Sequence, residues 1–285
     1  MPILGAHMSI AGHPHEALIR GKETGCRVIQ IFTRNRLRWS ARGLSKNEID
    51  VFHSTREKTT VIPISIHGSY LINLSSPTPD VKKRSLSLFL NEMKWAEQLG
   101  IPYLVIHPGF HMGDGVKKGL KRVAKMIIRA FDKTSGYNVK VLIETTAGQG
   151  TSLGNRFEHL EEILKLTGSS ERLGVCFDTC HAFAAGYDFR NEKDYRQIIN
   201  EFSNIIGIDR LKLFHINDSK NGPGSSVDRH DHPGHGIIGL KPFSFFLNDP
   251  KFAQHPFLLE TPKGLDENGA DMDMVNMKLL ESMIK

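Results

Sequence analysis

Ile62-Pro-Ile-Ser-Ile66, Pro79-Asp-Val-Lys-Lys-Arg-Ser-Leu-Ser-Leu-Phe-Leu-Asn-Glu-Met-Lys-Trp-Ala-Glu-Gln-Leu99 and Tyr103-Leu-Val-Ile106 follow one another in a single stretch of the chain. The first and last are short apolar runs of the kind that form buried parallel strands. The middle segment has helical spacing, with Leu86, Leu90, Met93 and Leu99 on one face. Thr78-Pro79-Asp80 offers an N-cap, a proline at N1 and an early acid, and Gly100 suits the C′ position. The stretch therefore reads as strand, helix, strand.

The same unit recurs in both directions. Further apolar runs lie at Ile3–Ala6, Val28–Phe32, Val139–Ile143, Leu173–Phe177, Leu211–Phe214 and Phe257–Leu259, which makes eight in all. Helical spacing is expected over 14–24, 46–58, 79–99, 117–133, 156–167, 192–206, 241–248 and 272–284. Eight strands alternating with eight helices predict an α/β chain folded as a (β/α)8 TIM barrel. The chain has 285 residues, and such a barrel uses about 250, so one catalytic domain over 1–285 is expected. A doubly wound open sheet would carry a glycine-rich turn after its first strand. Gly5-Ala6-His7-Met8-Ser9 is no such turn, so no nucleotide cofactor is expected.

Composition narrows the class. Hydrophobic residues make up 39% and charged residues 24%, which is globular. No run approaches a membrane span, and the first residues show no secretion signal. Three cysteines do not make a disulfide framework. A cytoplasmic monomer is the expectation. The net charge of +6 permits a polyanionic partner.

The chemistry sits where the apolar runs stop. They are followed by His7, His67, His107, Glu144, Asp178, His215 and Glu260, and only the second run lacks such a group. In a barrel these ends share one face, the face that carries active sites. Asp178-Thr-Cys-His181 adds His181, and Asp228-Arg-His230 adds another Asp/His pair. His67, His107, Glu144, Asp178, His181, His215, Asp228, His230 and Glu260 are the nine candidate ligands. One zinc ion takes four, so the set suits two or three ions sharing carboxylates. All-N/O ligation fits Zn2+, with Mn2+ as a substitute. A site of this kind serves phosphoester hydrolysis, because paired ions activate water and a further ion steadies the leaving oxygen. His7 is read as orienting a ligand or water and not as a ligand. Cys176 is read as core, Cys180 as a spectator, His13 as a surface residue, and His232 and His235 as loop residues.

These residues also carry a resemblance. Gly5-Ala6-His7-Met8-Ser9, His67-Gly-Ser-Tyr-Leu-Ile-Asn-Leu74, His107-Pro-Gly109, Glu144-Thr-Thr-Ala-Gly-Gln-Gly150, Phe177-Asp-Thr-Cys-His181, His215-Ile-Asn-Asp-Ser219, Asp228-Arg-His230 and Glu260-Thr-Pro262 resemble the endonuclease IV family of apurinic/apyrimidinic (AP) endonucleases. The resemblance implies a DNA repair enzyme that acts on damaged double-stranded DNA. It implies cutting on the 5′ side of abasic sites, leaving 3′-hydroxyl and 5′-deoxyribose phosphate ends, and trimming of blocked 3′ ends. It implies three zinc ions. His67, His107 and Glu144 would hold one. Glu144 would bridge to a second, held with Asp178, His215 and Glu260. His181, Asp228 and His230 would hold the third. Glu144 and Glu260 are the expected catalytic carboxylates.

Two loops are expected to meet DNA. Thr33-Arg-Asn-Arg-Leu-Arg-Trp-Ser-Ala-Arg42 lies in a region, Thr24 to Asn47, that holds no carboxylate, and it would contact phosphates. Tyr70 and Leu71 would enter the base stack. Within the first loop Arg36, Leu37 and Arg38 are the expected DNA-binding residues. Leu37 stands where the family carries an arginine, which leaves open which of the three enters the duplex. A metal-dependent sugar isomerase or epimerase on the same barrel is the alternative reading. The third ligand group and the arginine-rich loop argue against it.

Overall fold

The computed structural model describes residues 2–33, 39 and 43–285. Eight parallel strands close into a barrel. They are β1 (Ile3–Met8), β2 (Val28–Ile31), β3 (Ile62–His67), β4 (Tyr103–Ile106), β5 (Lys140–Glu144), β6 (Leu173–Asp178), β7 (Leu211–His215) and, after a two-stranded ribbon, β10 (Pro256–Leu259). Each pairs with its neighbour in the chain, and β10 pairs with β1 to close the ring. The expected (β/α)8 barrel is what forms. The helices that wrap it are α1 (Glu16–Thr24), α2 (Lys46–Thr59), α3 (Pro79–Leu99), α4 (Val116–Lys133), α5 (Phe157–Leu166), α7 (Glu192–Ile205), α8 (Lys241–Leu247) and α9 (Met272–Ser282).

Side-chain alternation along the strands explains both the core and the site. Val28, Val105, Leu142, Cys176, Leu213 and Leu258 form a separate buried cluster. The residues two positions further on are Gln30, His107, Glu144, Asp178, His215 and Glu260. A period of two keeps them on the same face of each strand. The barrel interior is thus an apolar layer capped by a polar one. The other face of each strand, with Leu104, Ile106, Val141, Ile143 and Phe177 among its residues, packs under the helices in the larger core. Below His7, a Cβ on Gly5 would lie 1.8 Å from Val28 O, so only glycine lets β1 and β2 approach there.

β3 departs from this phasing. The β2–β3 register slips by one residue between Ile29 and Gln30. After the slip Ser65 and His67 face inward, which brings His67 to the polar layer.

Three details differ from the sequence reading. Several strands run one or two residues past the apolar run, so His67, Glu144, Asp178 and His215 are themselves the last strand residues. A short helix, α6 (Thr179–Ala185), precedes α7, and a ribbon of β8 (Asp218–Ser219) and β9 (His230–Asp231) follows β7. Both are too short to leave a periodic signal. Thr78 occupies the N-cap of α3 in extended conformation, yet its side chain makes no capping hydrogen bond. Pro79 at N1 and left-handed Gly100 hold the helix ends as expected.

Among the described residues, no helix is long and apolar enough to cross a membrane.

Candidate metal centre

The nine candidate ligands converge at the C-terminal mouth of the barrel. Glu144 is at the centre and fully buried. Its Oε2 lies 3.2 Å from both His67 Nε2 and His107 Nε2. Its Oε1 lies 2.9 Å from His215 Nδ1, which is also 3.1 Å from Glu260 Oε2 and 3.9 Å from Asp178 Oδ2. Asp228 joins His181 Nε2 at 3.1 Å and His230 Nε2 at 3.4 Å. The ligand atoms gather as His67, Glu144, His215 and Glu260, as His107, Glu144 and His181, as Asp178, His181 and His230, and as Cys180, Asp228 and His230, a grouping that overlaps the three groups the resemblance implied without reproducing them. His181 also reaches Glu144 Oε1, at 3.2 Å, which links the third group to the other two.

One nitrogen in each of four rings is tied to a carbonyl oxygen, and in His181 that same Nδ1 also lies 3.2 Å from Glu144 Oε1. His67 Nδ1 donates to Gly68 O at 2.8 Å, His181 Nδ1 to Thr145 O at 2.9 Å, and His230 Nδ1 to Glu260 O at 3.2 Å. His215 Nε2 donates to Gln30 Oε1 at 3.1 Å. In each ring the other nitrogen is turned to the cluster. Metal-ligating histidines are oriented in this way. His107 Nε2 is buried 3.2 Å from Glu144 Oε2 and makes no hydrogen bond among the described residues. Two atoms that sit close without a hydrogen bond can both point at a cation. The donor set therefore fits divalent ions.

The electrostatics agree. Burial works against charge on His67, but the hydrogen bond to Glu144 and the Glu260 and Glu144 carboxylates lift its pKa to about 9. Burial likewise opposes charge on His181 and His215, yet both are raised well above the usual histidine value, His181 by the Asp178 and Asp228 carboxylates and His215 by Cys176 together with Glu260 and Glu144. Burial would raise Glu144, Glu260 and Asp228, yet the histidines hold all three carboxyls below the usual range. This much buried negative charge calls for cations, and protonated imidazoles are the protein's own supply. A divalent ion is the stronger alternative.

The residues between the ligands brace them. Asn217 Nδ2 donates to Asp178 Oδ2 at 2.8 Å, and its Oδ1 accepts from Glu260 N at 2.8 Å. Asp178 accepts from His181 N at 2.7 Å and so caps α6, which places His181 over the cluster. The Asp218 carboxylate, fully buried, accepts from the amides of Ser219, Gly234, Ile238 and Gly239 at 2.7–3.2 Å. That fixes the loop that carries His230. Sequence reasoning gave Gln30, Asn217 and Asp218 no role. Asn217 and Asp218 stand inside a quoted motif, which was the available signal, whereas Gln30 is a neutral residue in an apolar strand and left none.

His7 sits beside the cluster. Among the described residues it is in no group of ligand atoms, its Nδ1 contacts Gln30 and Glu260, and burial lowers its pKa to about 4. Cys180 lies beside the cluster, with its sulfur within 4.8 Å of ligand atoms of Asp228 and His230. Burial pushes its thiol up to about 12, so it is not a thiolate at neutral pH. His232 is held by Asn276, whose Nδ2 lies 2.9 Å from its Nδ1. A cavity of about 1120 Å3 opens over the cluster, walled by His7, Phe32, Tyr70, His107, Asp228 and Glu260 among others. Tyr70 is 50% exposed and its ring meets His67, His107 and Phe32 at centroid distances of 5.5–6.0 Å. Leu71 instead packs partly against the core. Arg36, Leu37 and Arg38 lie outside the described residues.

A family model described as a xylose isomerase-like TIM barrel matches residues 19–277. The chain is 45% identical over 285 residues to a probable endonuclease 4 of Chloroflexus aurantiacus, covering 100% of this chain and 99% of the relative. The chain belongs to the endonuclease IV family. A probable endonuclease 4 of Citrifermentans bemidjiense is 46% identical over the full length of both chains. Among solved structures, endonuclease IV from Thermus thermophilus superposes with a TM-score of 0.86 at 33% identity, covering 99% of this chain and 98% of that one. A D-tagatose 3-epimerase-like protein superposes with a TM-score of 0.74 at 18% identity, over 99% of this chain and 96% of that one. That likeness shows the barrel alone, as expected for a fold that hosts many reactions.

Proposed function

We propose that this member of the endonuclease IV family is a zinc-dependent DNA repair hydrolase acting on duplex DNA. It hydrolyses the phosphodiester bond 5′ to an abasic site, leaving a 3′-hydroxyl and a 5′-deoxyribose phosphate, and it trims blocked 3′ ends. The observation that carries the reading is the histidine arrangement. His67, His181, His215 and His230 each spend one ring nitrogen on a carbonyl and aim the other at a shared set of carboxylates.

The three ligand groups would be His67, His107 and Glu144; Glu144, Asp178, His215 and Glu260; and His181, Asp228 and His230. Ions held there lower the pKa of water and neutralise charge on the phosphate and the leaving oxygen. The chain's own residues supply the rest. Glu144 offers an oxygen to each of two groups and keeps them in fixed relation. Glu260 keeps one oxygen on Gln30 Nε2 at 2.6 Å and turns the other to His215. Tyr70, exposed at the cavity wall, offers an aromatic face where a duplex would be opened. The arginines of the 33–42 loop would hold phosphates.

Incision of a labelled duplex with one abasic site tests the reading. The expected result is a 5′-side cut that chelation abolishes and zinc restores. An intact duplex, with about three zinc ions per chain confirmed in the sample, would overturn it.

A further inference from the structure

Gln30 lies on β2, is fully buried, and sits directly beneath the candidate ligands His215 and Glu260. We propose that Gln30 is a positioning residue. It sets the tautomer of His215 and the orientation of Glu260, and thereby holds together the metal position that those two residues share. This inference rests on the metal-dependent reading above.

Hydrogen-bond chemistry leaves the amide one orientation. An ionised Glu260 can only accept, so the Gln30 atom 2.6 Å from its Oε1 is the donating Nε2. The second amide hydrogen goes to His7 Nδ1 at 3.1 Å. The amide oxygen therefore faces Ser65 Oγ at 2.8 Å and His215 Nε2 at 3.1 Å, and both donate to it. All four valences of the amide are used, two hydrogens and two lone pairs. His215 is left with its hydrogen on Nε2. Its Nδ1, which donates to Glu144 Oε1 at 2.9 Å while the imidazole is charged, is the nitrogen that becomes free to ligate when an ion takes the place of that proton.

This arrangement sets His215 apart. His67, His181 and His230 are fixed by backbone carbonyls, whose positions follow from the strands and loops themselves. His215 is fixed by a side chain. Its orientation therefore depends on one replaceable residue, and that residue also grips the neighbouring carboxylate.

The test is zinc binding by the full chain at buffered free Zn2+, measured as ions per chain, for the parent, Gln30→Met, Gln30→Glu and Ser65→Ala. Gln30→Met keeps the length and burial and removes the amide. Gln30→Glu keeps an acceptor for His215 and sets a carboxylate against Glu260. Both are expected to bind one of the ions about 10- to 100-fold more weakly than the parent, the usual effect of losing a partner that orients a ligand. Ser65→Ala deletes a buried hydrogen bond of the same network without touching His215 or Glu260, and is expected to stay near the parent. Parent-like zinc binding by either foldable Gln30 variant would overturn the proposal. So would equal weakening in Ser65→Ala, which would point to a general loss of packing order. Incision by the parent in the same buffer is read separately. Zinc binding that depends on Gln30 in a protein that does not cut abasic DNA would leave this inference standing while the functional reading fell.

Discussion

Glu144 shows how one residue organises the centre. Its two oxygens approach four histidine nitrogens at 2.9–3.2 Å, and it is fully buried. A buried carboxylate with so many partners cannot be replaced by a neutral group without leaving the histidines facing one another. Glu144→Gln keeps the shape and removes the charge. It is expected to lower zinc retention and to reduce incision by about 100-fold or more, at or beyond the upper end of effects seen for residues that only orient ligands. Zinc analysis and a gel-based incision assay check this, and parent-like values in both would remove Glu144 from the shared-ligand role. Residue identity alone was enough to single out Glu144, because an acid at the end of an apolar strand is conspicuous. Gln30 was not legible for the opposite reason. An amide carries no charge, and its importance lies entirely in which atoms it faces.

At the scale of elements, the ribbon of β8 and β9 matters most. It carries His230, and it is stapled by the four amides that bond to Asp218. Asp218→Ala would take the acceptor from all four amides, of which those of Ser219 and Ile238 are buried. The expected cost is at least about 3 kcal/mol, since hydrogen bonds to charged groups contribute roughly 1.5–3 kcal/mol each. Urea unfolding should show the loss, and proteolysis should begin within 228–239. An unchanged urea midpoint would show that the loop holds itself. The end of the barrel away from the mouth carries a different signal. His255 precedes β10, donates from Nε2 to Leu211 O at 3.0 Å, and packs against Phe214 and Phe252. Burial lowers its pKa below the usual 6.5. The unfolded chain therefore takes up this proton first as pH falls. The stability that neutral His255 contributes is present above about pH 6.5 and declines below it, through the folded-state value. His255→Phe should flatten that part of the curve of urea midpoint against pH between 7 and 5. Parallel curves for parent and variant would exclude this histidine as the source.

At the scale of the whole molecule, the barrel gathers the candidate ligands from β3, β5, β6, β7, α6, the ribbon with the residues leading into it, and the residues that follow β4 and β10. Ions bound at such a centre stabilise the closed ring, because the unfolded chain cannot offer the same geometry. Each site filled at 100 times its dissociation constant adds about 2.7 kcal/mol. Chelation should therefore lower the melting temperature, and zinc should restore it. A melting temperature indifferent to chelator, in a sample shown to lose metal, would argue that the barrel is fully formed without ions.

The sequence by itself determined the alternation of strand and helix, and with it the (β/α)8 barrel, because apolar runs and helical spacing are local patterns with their own periods. It also determined which acids and histidines stand at the strand ends, since one residue type after each run is a local fact. Tertiary structure decided the rest. The one-residue slip between β2 and β3 turns His67 and Ser65 inward, and it depends on how two strands pair. The roles of Gln30, Asn217 and Asp218 arise from hydrogen bonds to residues distant in the chain, which no local pattern encodes. Leu71 and Tyr70 are adjacent in sequence, yet one packs partly into the core and the other lines the cavity. That division follows from the path of the backbone, which only the closed barrel fixes.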